Sequence, residues 1–282
     1  MAPALGKSWL EMPAAMGGSE AVMESTSTSN LFTHTFYYGS ESDSNRNYTV
    51  CYDKSARTTY WVAYPLNSSH LGGSYKDSSW AYVDSSLLPH DCQANVKGGS
   101  YYLDNENNYS KGHLVPDASR STTKLMNEQT FVSVNSVPQI QNNFNSGVWS
   151  TLEETLRTRV NEAHESLYIV TGTMCEQVSD GNGLLTPAKT YDVDGLEIPA
   201  PRYFYTVVLK IGGSESKPTS ATAIGFWYTN KSHAGESYND TKFVKSVNQI
   251  EEWTGLNFFV NLPDSIEESA ESNTSWTKFS EF

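Results

Sequence analysis

His113 follows Gly112 directly in the run Tyr109-Ser110-Lys111-Gly112-His113-Leu114-Val115-Pro116, and a cation, Lys111, stands two residues before it. Asn135 comes next, in Asn135-Ser136-Val137-Pro138-Gln139. Then Phe144-Asn145-Ser146-Gly147-Val148-Trp149 leads into Leu152-Glu153. A neutral imidazole can take a proton from water, because its ordinary pKa of about 6.5 lies near working pH. A hard cation with oxygen ligands can offset the charge that develops on a phosphate and its leaving oxygen. Mg²⁺ keeps several waters and needs few protein ligands. One amide oxygen and an outer carboxylate suffice for it, or for Mn²⁺ or another divalent cation in its place. A base, two amides and a carboxylate in this order are therefore the parts for cutting a phosphodiester with one hard metal ion. A Gly-His pair alone carries little, since single histidines are mostly structural. His34, His70, His90, His164 and His233 lack such a context and are assigned to structure.

The elements that would position these residues follow from periodicity. Thr130-Phe131-Val132-Ser133-Val134 is rich in β-branched residues, which predicts a strand delivering Asn135. Trp149, Leu152, Leu156 and Val160 recur at helical spacing, which predicts a helix from about Ser146 to His164. Asn145 then stands in an N-cap-like place. Glu153 and Arg157 fall on one helix face and can pair; an ordinary ion pair on a surface helix is the alternative reading. Further strands are expected at Tyr48–Tyr52, Tyr60–Tyr64, Leu167–Thr171, Tyr203–Leu209 and Ala223–Tyr228, with Phe258–Val260 as another candidate. Several are spaced as hairpins. The expected class is α+β, with a central, mostly antiparallel sheet and helices packed outside it. Residues 1–34 are Ser-, Met-, Ala- and Gly-rich with weak periodicity and read as a flexible leader. Residues 35–282 read as a single domain.

Composition bounds the rest. The 282 residues carry a formal net charge of −13, so a broad nucleic-acid clamp is excluded and any such contact must be local. The 17 Tyr and 7 Trp favour a sheet-rich core. No stretch approaches the ~20 apolar residues that span a bilayer. Three cysteines, Cys51, Cys92 and Cys175, leave open one disulfide with a free thiol, or none, and are too dispersed for a zinc site. Asn-x-Ser/Thr triplets begin at Asn47, Asn67, Asn108, Asn230, Asn239 and Asn273, and chance explains them in a chain so rich in Asn and Ser.

Ser110-Lys111-Gly112-His113, Asn135-Ser136-Val137-Pro138-Gln139 and Asn145-Ser146-Gly147-Val148-Trp149-Ser150-Thr151-Leu152-Glu153 together resemble the DNA/RNA non-specific endonucleases of the ββα-metal, or His-Me finger, class. That family's signature is Asp-Arg-Gly-His, then Asn-x-x-Pro-Gln, then Asn-x-Gly-x-Trp-x-x-Leu-Glu. The resemblance extends over roughly 48–265 and implies a ββα-metal finger within the sheet. It implies that His113 is the general base, Asn145 the direct ligand of one Mg²⁺, Glu153 a holder of metal-bound water, and Asn135 a support for the site. Lys111 stands where the family has arginine. Arg157 falls where some members have a functional arginine, with pairing to Glu153 as the alternative. DNA and RNA are the implied substrates. Two departures stand out. Ser110 replaces the usual aspartate, and Lys111 keeps the charge but loses the planar two-point grip on phosphate. Lys76 and Arg120 are the cations near the motifs, and both read as ordinary surface residues. These departures and the acidity support an alternative: a catalytically impaired relative that binds nucleic acid or another extracellular partner. A non-specific nuclease endangers its own genome, so a secreted or periplasmic location is expected. A homodimer is left open.

Overall fold

The computed structural model describes residues 9–15, 30–77, 79–103, 109–186 and 189–282. Its centre is an antiparallel sheet built from β1 (Leu31–Tyr37), β2 (Arg46–Asp53), β3 (Thr58–Leu66), β6 (Leu167–Met174), β7 (Tyr203–Ser214), β8 (Lys217–Thr229) and β9 (Val244–Lys245), in the order β9-β8-β7-β6-β3-β2-β1. Two further strands, β4 (Tyr109–His113) and β5 (Ser136–Ile140), pair only with each other. Helix α1 is Lys124–Glu128, α2 is Ser150–Ala163, α3 is Val247–Thr254, α4 is Asp264–Glu271 and α5 is Trp276–Glu281.

The central strands are apolar on both faces, because each face has its own covering layer. Along β6, Leu167 and Ile169 enter one core while Tyr168 and Val170 enter the other, the period of two that a pleated strand imposes. The first core receives Leu114, Val137, Phe144, Trp149 and the Leu152, Leu156 and Val160 stripe of α2. The second receives Trp9, Leu10, Met12, Val247, Ile250, Phe258 and Phe259. The α+β class and the antiparallel sheet flanked by helices are as expected. So are the strands at 48–52, 60–64, 167–171, 203–209 and 223–228.

Four expectations about the elements are corrected. Trp9, Leu10, Met12 and Ala14 are buried, Ala14–Ala15 pairs with Leu256–Asn257, and Leu31–His34 belongs to β1, so these parts of the expected leader are built into the domain. The remainder of that leader, residues 1–8 and 16–29, lies outside the described residues, as does Asn108. Phe258–Val260 is a buried loop, not a strand. Thr130–Val134 is also not a strand. An isolated parallel bridge joins Val132 to Ala81, and the carbonyls at the two ends go to side chains: Thr59 Oγ1 donates to Val134 O at 2.6 Å and Asn135 Nδ2 to Thr130 O at 2.8 Å. Asn135 therefore ends a short 3₁₀ turn, and the strand begins after it. Finally, α2 starts at Ser150, preceded by irregular turns over Gln141–Trp149, so Asn145 is not its cap. His164 closes the helix in the left-handed conformation.

Arg120 is not a surface cation. It is fully buried and donates to Ser119 O, to Asn47 O at 2.9 Å and to Pro65 O at 2.8 Å, with its guanidinium 4.9 Å from the Tyr64 ring. It thereby ties the loop after His113 to β2 and β3. His70 and His233 are buried too, as structural histidines are. All three cysteines are free thiols.

Candidate active site

β4, β5 and α2 form a ββα unit on the first-core face of the sheet. β4 and β5 pair antiparallel with Ser110 opposite Gln139 and His113 opposite Ser136. Pro138 removes one ladder donor, so β5 needs another anchor. Asn230 provides it. Its Oδ1 accepts from Ile140 N at 2.9 Å, and its Nδ2 donates to Pro138 O and Pro201 O at 3.0 Å each. This ties the unit to the end of β8, a link no sequence spacing announces.

Lys111 and His113 project from one face of β4, as residues two apart must. The His113 ring lies 4.6 Å from Trp80 and 4.8 Å from Phe131, centre to centre, and its Nε2 is buried without a hydrogen-bond partner. Burial pushes the imidazole down to about 4, Asp117 pulls it back up, and Lys111 adds to the depression. Lys111 Nζ stands 5.2 Å from the Trp80 ring and donates to Val96 O at 3.3 Å; burial lowers its pKa.

Gly112 lies between them because nothing larger fits. A Cβ there would stand 2.4 Å from Gln139 Oε1 and 2.6 Å from Gln139 Cβ. Gln139 is itself wholly buried, with both amide atoms unpartnered.

Asn135 works through the backbone. Its Oδ1 accepts from Val115 N at 2.8 Å, and its Nδ2 donates to Val115 O at 3.0 Å and Thr130 O at 2.8 Å. Its own carbonyl accepts from Leu114 N at 3.3 Å. The side chain is fully buried and fully used, which fixes the chain leaving His113.

Asn145 presents the opposite case. Its Nδ2 donates to Ser110 Oγ at 2.9 Å and to Gln141 Oε1 at 3.0 Å, while among the described residues its Oδ1 accepts no hydrogen bond. The residue is half-buried. It lies in the irregular run before α2, where Asn143 takes a φ of 59° and Ser146 and Gly147 are also non-helical. Asn tolerates that left-handed position better than most residues.

Glu153 lies in the first turn of α2, beside a small cavity shared with Pro116, Trp149 and Tyr64. Burial pushes its carboxyl up to about 8; Arg157 opposes this and Asp117 adds to it. Among the ion pairs of the described residues there is none between Glu153 and Arg157; Arg157 acts on Glu153 by its charge, and its Nη1 is buried without a partner. The charge of Asp117 acts on both groups, raising the pKa of His113 and of Glu153. It comes from the 3₁₀ turn Asp117–Ser119 after β4, and sequence reasoning missed it.

The donor set suits a hard ion. Among the described residues no group of three or more His, Cys, Asp or Glu side chains could hold a metal. Asn145 Oδ1 accepts no hydrogen bond among the described residues, and with the Glu153 carboxyl in the first turn of α2 the motifs offer a sparse oxygen set, the kind that suits an ion keeping most of its waters. None of the helices among the described residues is long and apolar enough to cross a membrane.

Comparison with known proteins identifies the family and the fold. The sequence profile of the DNA/RNA non-specific endonucleases matches residues 27–265. A nuclease of Nostoc sp. is 31% identical over 227 residues, which is 80% of this chain and 75% of the relative. The nuclease of Serratia marcescens is 25% identical over 228 residues, 80% of this chain and 77% of the relative. The mitochondrial nuclease EXOG of Danio rerio is 28% identical over 223 residues, 78% of this chain and 61% of the relative. The fold is also that of EndoG in its crystal structure with EndoGI, with a TM-score of 0.55 at 18% identity over 78% of this chain and 85% of that one. The chain belongs to the DNA/RNA non-specific endonuclease family and is a hydrolase of that class.

Proposed function

We propose that this enzyme hydrolyses phosphodiester bonds of DNA and RNA with little sequence specificity, using His113 as general base and one divalent cation, Mg²⁺ or Mn²⁺, beside Asn145. The observation that carries the reading is twofold: His113 Nε2 is left unpartnered, and the Asn145 amide has its nitrogen engaged while, among the described residues, its oxygen accepts no hydrogen bond.

His113 is held neutral by burial, so at neutral pH it accepts a proton without first having to lose one. Trp80 and Phe131 hold the ring plane, and Asn135 fixes the backbone beyond it. Asn145 Oδ1 and Glu153 would hold the cation, Asn145 directly and Glu153 through water. When bound, such an ion supplies charge relief on the phosphate and the leaving oxygen. Lys111 and Arg157 are the nearby cations able to meet the phosphate. Lys111 does so as a point charge without a fork. With a net charge of −13, the rest of the surface repels nucleic acid, so binding is confined to this site. A secreted or periplasmic location fits an enzyme that would otherwise attack its own genome.

The test is degradation of supercoiled plasmid and of RNA in Mg²⁺, with and without EDTA. Degradation of both, stopped by EDTA and restored by excess Mg²⁺, is the expected result. A plasmid band that shifts without shortening would identify a binding protein instead.

A further inference from the structure

We infer that Ser110 and Gln141 are positioning residues that lock the Asn145 amide with its oxygen turned outward. The inference rests on the reading of Asn145 as the ion's direct ligand.

The direction of the amide follows from proton bookkeeping. Ser110 Oγ carries one proton, and it donates that proton to Gln139 O at 3.0 Å. Its lone pairs are what remain for Asn145, so Ser110 can only accept, and the Asn145 atom 2.9 Å away must be the nitrogen. Gln141 Oε1 accepts the second Nδ2 proton at 3.0 Å. Taken alone, the Gln141 contact could be satisfied with both amides turned over. Ser110 breaks that symmetry because its proton is committed to the β5 backbone. A reversed Asn145 amide would present two N–H groups to a cation and would leave Ser110 without a donor.

This gives the Ser110 departure a physical meaning. A carboxylate at position 110 would also accept from Asn145 Nδ2, so a hydroxyl and a carboxylate share the orienting role. The hydroxyl does it only because Gln139 O takes its proton. Gln141 supplies the second acceptor from the turn just before Asn145. The two holders come from different elements, β4 and the irregular run before α2, and so fix the amide plane as well as its direction.

The test is direct binding of Mn²⁺, followed by the electron paramagnetic resonance signal of the free ion, without substrate. The proteins are the wild type, Ser110→Ala, Ser110→Asp, Gln141→Leu and Asn145→Ala, each with a wild-type circular dichroism spectrum. Loss of an orienting partner of a metal ligand weakens binding by about 10- to 100-fold. Ser110→Ala and Gln141→Leu are expected to lose affinity in that range, and Ser110→Asp to restore it. The Mg²⁺ concentration for half-maximal nuclease rate should rise in step, with kcat recovering at saturating Mg²⁺. Wild-type Mn²⁺ affinity in both Ser110→Ala and Gln141→Leu, with affinity lost in Asn145→Ala, would overturn the orienting role and leave Asn145 as ligand. Wild-type affinity in Asn145→Ala would overturn both.

Discussion

At the scale of single residues, His113 and Asn135 show how two polar side chains in adjoining motifs come to opposite uses. His113 keeps an unpartnered nitrogen, whereas every polar atom of the Asn135 side chain is bonded to backbone. Asn135→Ala should therefore destabilise the fold by about 3 kcal/mol or more, because it strands a buried amide and two carbonyls; urea denaturation measures this. The acid limit of activity should lie near pH 4, where the buried imidazole takes its proton. Asp117 raises that value, so Asp117→Asn should move the acid limb of the kcat/KM profile to lower pH. A limb that stays in place would remove Asp117 from the histidine's surroundings. Gly112→Ala forces a Cβ into Gln139 and should cost about 1–3 kcal/mol, with loss of activity beyond the stability change.

At the scale of elements, the sequence and the structure agree where a pattern is local and part where partners are distant. The Trp149, Leu152, Leu156 and Val160 stripe marks α2 because all four side chains face one core, and three of them lie inside the helix. Its start is misread because the chain before Ser150 is shaped by ties to β4 and to Ser232, not by capping. Thr130–Val134 has strand composition, yet it forms an isolated bridge to Ala81, and the side chains of Thr59 and Asn135 take the carbonyls at its two ends. Trp9–Met12 shows no periodicity, since four residues are too few to display one. Their burial depends on Glu11 meeting Arg46 and on Trp9 Nε1 reaching Asp43 Oδ1. The three motifs made the members of the candidate site legible. Asp117, Gln141 and Asn230 were not, because each acts through a tertiary contact that no spacing encodes. Trp9→Ala should lower stability by about 3–5 kcal/mol, read from the denaturation midpoint; a midpoint unchanged from the wild type would return this segment to a leader.

At the scale of the whole molecule, an acidic protein must handle an acidic polymer. If Lys111 and Arg157 are the phosphate contacts, the logarithm of affinity should fall with the logarithm of salt with a slope of about −2. A steep slope would require a basic surface elsewhere. Stability should also depend on pH through His70, which burial pushes down to about 2, with Arg120 and Arg46 adding to the shift. The folded imidazole stays neutral while the unfolded one binds a proton below about pH 6.5. Stability is therefore complete above that value and lost as pH falls toward 2, and His70→Gln should show a shallower fall of Tm between pH 7 and 4. Whether this fold cuts nucleic acid with His113 as the proton acceptor is read by digesting plasmid and RNA in Mg²⁺ with wild type and His113→Ala. The wild type should degrade both, and the variant, folded as judged by circular dichroism, should lose about 10²- to 10⁴-fold in rate. A folded His113→Ala variant that cuts at the wild-type rate would contradict that role for His113.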